Sequence, residues 1–246
     1  MNPPRPHLFG LLAGLFLAAG LAFASVTLTS AWTRIAENNT INVTGSARKN
    51  IRSDLVIWRA SFSVEAPTLI EAQQKLHADF EKVAAFFKTR GFDGFVVSPV
   101  QIRELVAKQR NAEDDIVTNV RVGYRLSHAI EVHSDDVERL PRLAGDSSEL
   151  LQQGVAFESG GFDFIYTKAG EAKVEMMAEA TRDARVRADQ IAANGGSTVR
   201  ALRSAKMGVV QINPLYSSAT SWEGNNDTSS LEKTITTTVS ATFSLD

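Results

Sequence analysis

The side chains that most often carry enzyme chemistry are few in this chain, and their spacing does not bring them together. Its four histidines are His7, His77, His128 and His133, and it contains no cysteine. His128 and His133 are separated by an odd number of positions on one predicted strand, so they point to opposite faces and cannot share a metal ion. His7 precedes an apolar segment, and we expect His77 on the solvent side of a helix. Without cysteine there is no disulfide, thiolate zinc site or cysteine nucleophile.

Motifs for nucleophilic catalysis and phosphate binding are missing as well. No Gly-x-Ser-x-Gly turn occurs, and Gly160-Gly161 and Gly195-Gly196 lack the lysine and the strand–helix context of a phosphate loop. The 26 basic and 28 acidic residues give a formal net charge of −2. The chain therefore lacks the excess of positive charge that attracts nucleic acid. We therefore predict no catalytic residue, no cofactor, no metal and no nucleic-acid partner. A hydrolase with a site assembled from scattered residues is the least favoured alternative.

The N-terminus carries a long apolar segment. Residues 8–24 contain no polar side chain, and residues 8–31 add only Ser and Thr, whose hydroxyls can bond back to helix carbonyls. The length favours a retained signal-anchor over residues 1–31, because about 20 apolar residues cross a bilayer. The small-x-small site Ala22-Phe23-Ala24 leaves a cleaved signal peptide as the alternative. The first interpretation places the protein in the inner membrane facing the periplasm, and the second in the periplasm.

The rest of the chain alternates between strand and helix patterns. The predicted strands cover 40–44, 54–65, 96–108, 117–133, 155–166, 199–212 and 233–245, with a turn from Gly45 to Ser53 and a polar 111–115 connection. Helices are predicted from Thr68, where Glu71 completes a capping box, to Gly91; over 134–153, broken or kinked by Pro141; and over 170–194. The apolar stripe predicted for the last helix consists of Val174, Met177, Thr181, Ala184, Ala188 and Ile191. The pattern predicts one α+β domain over 40–246, with antiparallel strands packed against two or three helices in two loosely similar halves.

Two tryptophans pose different questions. Trp58 lies on the second predicted strand and is equally consistent with a core or an outward position. Trp222 lies with Leu215 and Tyr216 in a long polar segment, 213–231, where large aromatic residues are unexpected. These three side chains either fold back onto the domain or dock on a neighbouring subunit.

Four stretches resemble the SIMPL-domain family of bacterial extracytoplasmic proteins, which includes oxidative-stress-defence and immunogenic outer-membrane members. They are the opening strand Ile41–Ala47, the Gly123-Tyr124-Arg125 of a central strand, the alanine-rich helix Ala180–Ala192, and the closing Thr-rich strand to Leu245. The resemblance covers residues 40–246. One departure is Ser53, where many members have proline before the aspartate.

The resemblance implies an exported α+β domain that self-associates and is loosely linked to envelope stress, with no agreed catalytic motif. We therefore expect a non-enzymatic envelope protein that forms a homo-oligomer through Leu215, Tyr216 and Trp222. The alternative is a binding module for a small ligand, whose identity the sequence does not indicate, or for another envelope protein.

Overall fold

A computed structural model describes residues 6–36, 39–92, 94–110 and 117–246, without the side chains of 6–9, 31–36 and 110. The fold is α+β, with two antiparallel sheets, as predicted. The elements are α1 (Pro6–Ala36), β1 (Thr40–Arg52), β2 (Leu55–Ala66), α2 (Leu69–Thr89), β3 (Phe95–Val97), β4 (Gln101–Arg110), β5 (Val117–Ser134), α3 (Arg139–Asp146), α4 (Ser148–Gln152), β6 (Ala156–Ile165), α5 (Ala169–Asn194), β7 (Val199–Met207), β8 (Gln211–Pro214) and β9 (Glu232–Leu245). The polar 111–115 connection and the His7 side chain lie outside the described part.

The N-terminal apolar segment forms the single long helix α1. Residues Gly10–Ser30 make a stretch of 21 residues that is apolar enough to cross a membrane, and none of it is buried. At 1.5 Å per residue this stretch spans about 31 Å, close to the thickness of a bilayer core. The hydroxyl of Thr27 donates to the carbonyls of Phe23 (3.0 Å) and Ala24 (2.9 Å), so the predicted back-bonding of hydroxyl groups is confirmed.

The chain divides into two compact units. One contains residues 1–46, 179–208 and 238–246, and the other contains 47–178 and 209–237. One sheet has the strand order β1-β9-β7, with β8 also paired to β9. The other has the order β3-β5-β2-β6, with β4 also paired to β5. Each unit is described separately below.

The smaller unit has a core built largely from small side chains. Val43, Ala184, Ala188, Ala241 and Phe243 are its buried members. The predicted turn beginning at Gly45 is wrong, because β1 continues through this residue to Arg52. A Cβ at Gly45 would lie 2.1 Å from the carbonyl oxygen of Ala180. Gly45 is therefore required for the close approach of a helix rather than for a turn.

The predicted apolar stripe of α5 is wrong in part. The buried residues follow one another at every fourth position and are small or flexible: Ala172, Met176, Ala180, Ala184, Ala188 and Ala192. Val174, Met177 and Ile191, which the pattern assigned to the core, are exposed. The small members of the predicted stripe, Ala184 and Ala188, are buried as expected. The short distance between α5 and the backbone of β1 at Gly45 admits only alanine at neighbouring positions.

The larger unit is organised around β2. Its even-numbered residues from Val56 to Ala66 are all buried, and they pack with α2 in one hydrophobic cluster. Trp58 is a core residue, fully buried against the rings of Phe87, Phe157 and Phe162. Its indole Nε1 donates to the hydroxyl of Ser159 at 3.1 Å, which satisfies the one polar group of the side chain.

The helix ends of the larger unit follow from local signals. The Thr68 hydroxyl accepts the backbone N–H of Glu71 at the start of α2, and Gly91 follows the helix with a φ of +73°. The segment containing Pro141 forms two short helices, as predicted. Their break lies at Ser147 rather than at the proline, because Pro141 stands in the first turn of α3, where no intrahelical N–H donor is needed.

We predict that Gly45→Ala destabilises the chain by about 3 kcal/mol, because the added methyl group would meet backbone atoms that cannot move aside. The measurement is urea unfolding of the full chain in mild detergent. Gly145→Ala in α3 is the matched control, since a Cβ there meets no atom within 4 Å. Equal stability of the two variants would contradict the close-packing role of Gly45.

Candidate functional site

The first part of the 213–231 segment is held by two buried side-chain amides. Gln211 Oε1 accepts the backbone N–H groups of Ser221 (3.2 Å) and Asn225 (3.0 Å), and its Nε2 donates to the Ser221 carbonyl at 2.7 Å. Asn213 Nδ2 donates to the Ala219 carbonyl at 2.7 Å. These bonds occupy backbone groups that have no partner in a regular strand. The segment therefore has a defined conformation despite its polar composition.

The second part of the segment is held by a carboxylate and a buried ammonium group. Asp227 accepts the backbone N–H of Ser229 (3.0 Å) and Ser230 (3.2 Å). The Nζ of Lys233 donates to the carbonyls of Asp227 and Phe164. Burial lowers the pKa of Lys233, against the attraction of Asp227. Burial alone would raise the pKa of Asp227, but the bonds from Ser229 and Ser230 and the charge of Lys233 lower it.

Two aromatic side chains project from this segment into solvent. Tyr216 is 89% exposed and Trp222 is 84% exposed, while Leu215 is half-buried. The interpretation that the aromatic residues fold back onto the domain is therefore wrong, because the amide bonds of Gln211 and Asn213 set the backbone so that these side chains point outward. We call Leu215, Tyr216 and Trp222 the aromatic loop.

The backbone of Tyr216 is strained. Its φ is +72°, the one positive φ of a residue other than glycine within the part of the chain that the structure describes. For an L-residue with a large side chain this conformation costs about 1–2 kcal/mol. Glycine or asparagine would relieve that cost, so the tyrosine at this position lowers the stability of the loop. Strain combined with exposure makes Tyr216 a candidate functional residue.

A separate cleft lies between α2 and the β3–β4 connection. It has a volume of about 420 Å³. Its lining consists of Gln73, Leu76, His77, Phe80, Val97, Ser98, Pro99 and His128. The imidazole Nδ1 of His128 lies 2.7 Å from the Ser98 carbonyl oxygen, so it carries a proton and Nε2 is the free acceptor of the neutral ring. His77 is on the solvent side of α2, as predicted, and also borders this cleft.

The cleft does not hold a nucleophile arrangement. The Ser98 hydroxyl accepts the backbone N–H of Ala129 at 2.8 Å and donates to the Pro99 carbonyl at 3.2 Å, so its proton is not directed to His128. His133 lies on the opposite face of β5 from His128 and contacts Glu131 at 2.6 Å, which confirms the predicted separation of this pair. Across 10–30, 39–92, 94–109 and 117–246, no three acidic or histidine side chains are placed to hold a metal ion.

Comparison with known families identifies the relationship. The model of the SIMPL family, described as a protein of unknown function (DUF541), matches residues 41–243. The chain belongs to the SIMPL family. Among curated proteins, none matches the chain. The matched region of this SIMPL protein runs from β1 to β9 and leaves α1 outside it.

Ser53 of this SIMPL protein, where many members have proline, makes two hydrogen bonds. The backbone N–H of Ser53 donates to the carbonyl of Leu231 at 2.9 Å, and its hydroxyl donates to the Ser230 carbonyl at 3.4 Å. Proline has no backbone N–H and could make neither bond. Ser53 therefore helps to hold the end of the 213–231 segment, next to the turn formed by Asp227.

Sequence reasoning missed two parts of this arrangement. His77 and His128 border one cleft although they lie far apart in sequence, and no local pattern relates them. The anchoring roles of Gln211 and Asn213 were also missed. The signal in the sequence was that two amide side chains stand at alternate positions of a short strand ending in Asn-Pro. Both then lie on one face, and buried amides there need hydrogen-bond partners nearby.

We predict that Asp227→Asn lowers the free energy of unfolding at pH 7 by about 1 kcal/mol, because the Ser230 N–H loses its acceptor. The folded pKa of Asp227 lies below its unfolded value, so its contribution is present above about pH 3.9 and is lost as the pH falls through the folded pKa. Stability of the variant should therefore decrease less than that of the wild type between pH 7 and pH 3, measured by urea unfolding. Parallel decreases would contradict the assigned role.

Proposed function

We propose that this chain is a non-enzymatic protein of the bacterial envelope that self-assembles at the periplasmic face of the inner membrane. The observation that carries the proposal is the aromatic loop, which presents two exposed aromatic residues on a backbone fixed by buried amides. Aromatic side chains are enriched at protein interfaces because they bury a large area at a low cost in side-chain entropy. A pre-ordered loop adds little further ordering cost on association.

The strain at Tyr216 supports the same proposal. A residue that costs stability in the isolated chain is expected to contribute elsewhere, and its side chain contacts solvent rather than the core. Trp222 lies on the same loop and is likewise exposed, and Leu215 is half-buried. These side chains offer apolar surface to a neighbouring subunit.

Export and retention are supported by α1. Its length fits a membrane span, and a helix apolar on every side has no solvent-facing surface of its own. A basic residue, Arg5, stands before the span and no basic cluster follows it, which favours an N-terminus inside and a folded part outside. A role in defence against oxidative or envelope stress rests on family resemblance alone.

The alternative function is that of a binding module, and the cleft beside His128 favours it. Apolar walls from Leu76, Phe80 and Pro99 with an imidazole acceptor suit a small apolar molecule that carries one hydrogen-bond donor. The engaged Ser98 hydroxyl argues against a hydrolase at this cleft. Under this alternative, substitutions in the aromatic loop would leave the size of the particle unchanged.

We predict that the full chain in mild detergent is larger than one protomer at tens of micromolar, and that Tyr216→Gly combined with Trp222→Ser reduces its mass. Tyr216→Gly alone should not lower the free energy of unfolding and should raise it by up to about 1 kcal/mol, because glycine accepts the positive φ without strain. Size-exclusion chromatography with light scattering measures the mass.

Ile70→Ser is the matched control, since Ile70 is 72% exposed and belongs to α2 rather than to the loop. A wild type that is strictly monomeric under these conditions would contradict self-assembly. A multimeric wild type whose mass the double variant leaves unchanged would exclude the aromatic loop as the contact.

We also predict that the mature chain keeps residues 1–31 and stays in the membrane fraction after a carbonate wash. Intact-mass measurement decides between this result and a chain that begins at Ser25. Ala24→Trp is the control, because a bulky residue removes the small-x-small site. A wild type that begins at Ser25, with Ala24→Trp left uncleaved, would overturn the anchor and support the signal peptide.

A further inference from the structure

Strand β4 is an edge strand of unusual length for an exposed edge. In the described part of the chain it pairs only with β5, through ten residues from Gln101 to Arg110. The pairing of β2 with β5 ends at Tyr124, so residues 117–123 of β5 extend past β2. There β4 and β5 form a two-stranded ribbon. Such ribbons are marginally stable in water unless a third strand or another surface covers them.

Strand β4 and the ribbon expose β-branched apolar side chains. Ile102 is 56% exposed and Val106 is 59% exposed on β4, and three valines of β5 are also exposed: Val117, Val120 and Val122. The β4 sequence has no proline or glycine. A long exposed edge strand that is free of proline is a template for pairing with another strand, and proteins normally protect such edges. Six of the ten β4 residues are polar or charged, so the match of charges decides which strand can pair with it.

The opposite edge strand of the same sheet, β6, is covered at Phe164. The backbone N–H of Phe164 on β6 donates to the Thr228 carbonyl at 2.7 Å, and Lys233 Nζ donates to the Phe164 carbonyl. The loop before β9 thus occupies backbone groups at that edge. In the described residues, the β4 edge has no comparable cover.

The charges of β4 match those of a second copy of β4 in the antiparallel register centred on Val106. Glu104, Val106 and Lys108 alternate and so lie on one face of the strand. If two copies pair about a two-fold axis at Val106, each Glu104 lies opposite the partner strand's Lys108 and the two Val106 side chains meet. Opposite charges directly across a strand pair are stabilising, and a two-fold axis forms the pair twice.

Neighbouring registers fit less well. Residues directly opposite in an antiparallel pair lie on the same face of the sheet, so the register changes in steps that keep the faces matched. A two-fold axis at Leu105 places Glu104 opposite Val106 and Ile102 opposite Lys108, and both ion pairs are lost. A two-fold axis at Ala107 places Glu104 opposite Arg110, but it sets Val106 opposite Lys108 and loses the contact between the two Val106 side chains. A parallel pairing in register places Glu104 opposite Glu104. Like charges directly opposite each other are destabilising.

We propose that β4 pairs antiparallel with β4 of a second copy of this chain, in the register centred on Val106. This inference rests on the proposed self-assembly and names a contact separate from the aromatic loop. The existing intrachain pair of Glu104 with Arg121, 3.4 Å apart and more than half exposed on both sides, does not prevent it. Exposed pairs of this kind contribute little energy and exchange readily.

Charge reversal tests the register. Glu104→Lys and Lys108→Glu, each alone, place like charges opposite one another at two symmetric positions and should raise the dissociation constant of the pair about tenfold. The double variant Glu104→Lys/Lys108→Glu restores opposite charges and should return the constant to the wild-type range. Arg121→Gln is the control, because it removes the same intrachain ion pair and leaves β4 unchanged.

Cross-linking tests the two-fold axis independently of particle size. The chain has no cysteine, so Val106→Cys introduces one thiol per protomer. Residues directly opposite in an antiparallel pair have Cα atoms about 4.5–5.5 Å apart, within the range of a disulfide. The full-length variant in detergent should form a covalent dimer under mild oxidation, and Ile70→Cys, exposed elsewhere, should form far less.

The outcomes separate this inference from the broader proposal. A multimeric wild type in which charge reversal has no effect and Val106→Cys does not cross-link above Ile70→Cys would overturn the β4 contact and leave self-assembly standing. A monomeric wild type in which Val106→Cys also fails to cross-link would overturn both. Rescue by the double charge swap together with selective cross-linking would support the β4 pair.

Discussion

The larger unit depends on the burial of every second residue of β2 against α2. That alternation, from Val56 through Trp58 to Ala66, makes β2 an interior strand with β5 on one side and β6 on the other. Since β2 ends at Ala66 while β5 begins at Val117, part of β5 has only β4 as a neighbour. The exposed ribbon therefore results from the unequal extents of β2 and β5, and it leaves apolar side chains in contact with solvent.

The aromatic loop and the β4 edge are two exposed surfaces that are built differently. The aromatic loop has no regular secondary structure and is held by the side chains of Gln211, Asn213 and Asp227. The β4 edge belongs to a strand whose pairing with β5 is irregular only between Leu105 and Val106. Its outer backbone groups pair with no other strand in the described part of the chain, and this feature suits the edge to a partner. The aromatic loop can bury aromatic side chains against a partner, and the β4 edge can form backbone hydrogen bonds with one. Assemblies that use two different contacts can grow beyond a dimer, because each protomer then bonds to more than one neighbour.

In the smaller unit, the short distance between backbone atoms limits the size of the buried side chains. There the distance between α5 and β1 is set by backbone atoms around Gly45, so alanine replaces the larger apolar residues that hydrophobicity favoured. Val174 and Ile191 remain on the exposed part of the helix for the same reason. The stripe deduced from periodicity alone therefore included the buried Ala184 and Ala188 of α5 but also three of its exposed residues.

Local interactions within the sequence determined the α+β class, the Thr68 cap, the Gly91 helix end, the apolar N-terminal helix and the opposite orientation of His128 and His133. These features depend on neighbours a few residues away. The tertiary structure alone decided that Trp58 is buried, that β1 passes through Gly45, that His77 and His128 border one cleft, and that Tyr216 and Trp222 face solvent. Each of those outcomes depends on which distant backbone or side chain lies opposite, and no periodicity in a single chain encodes that distance.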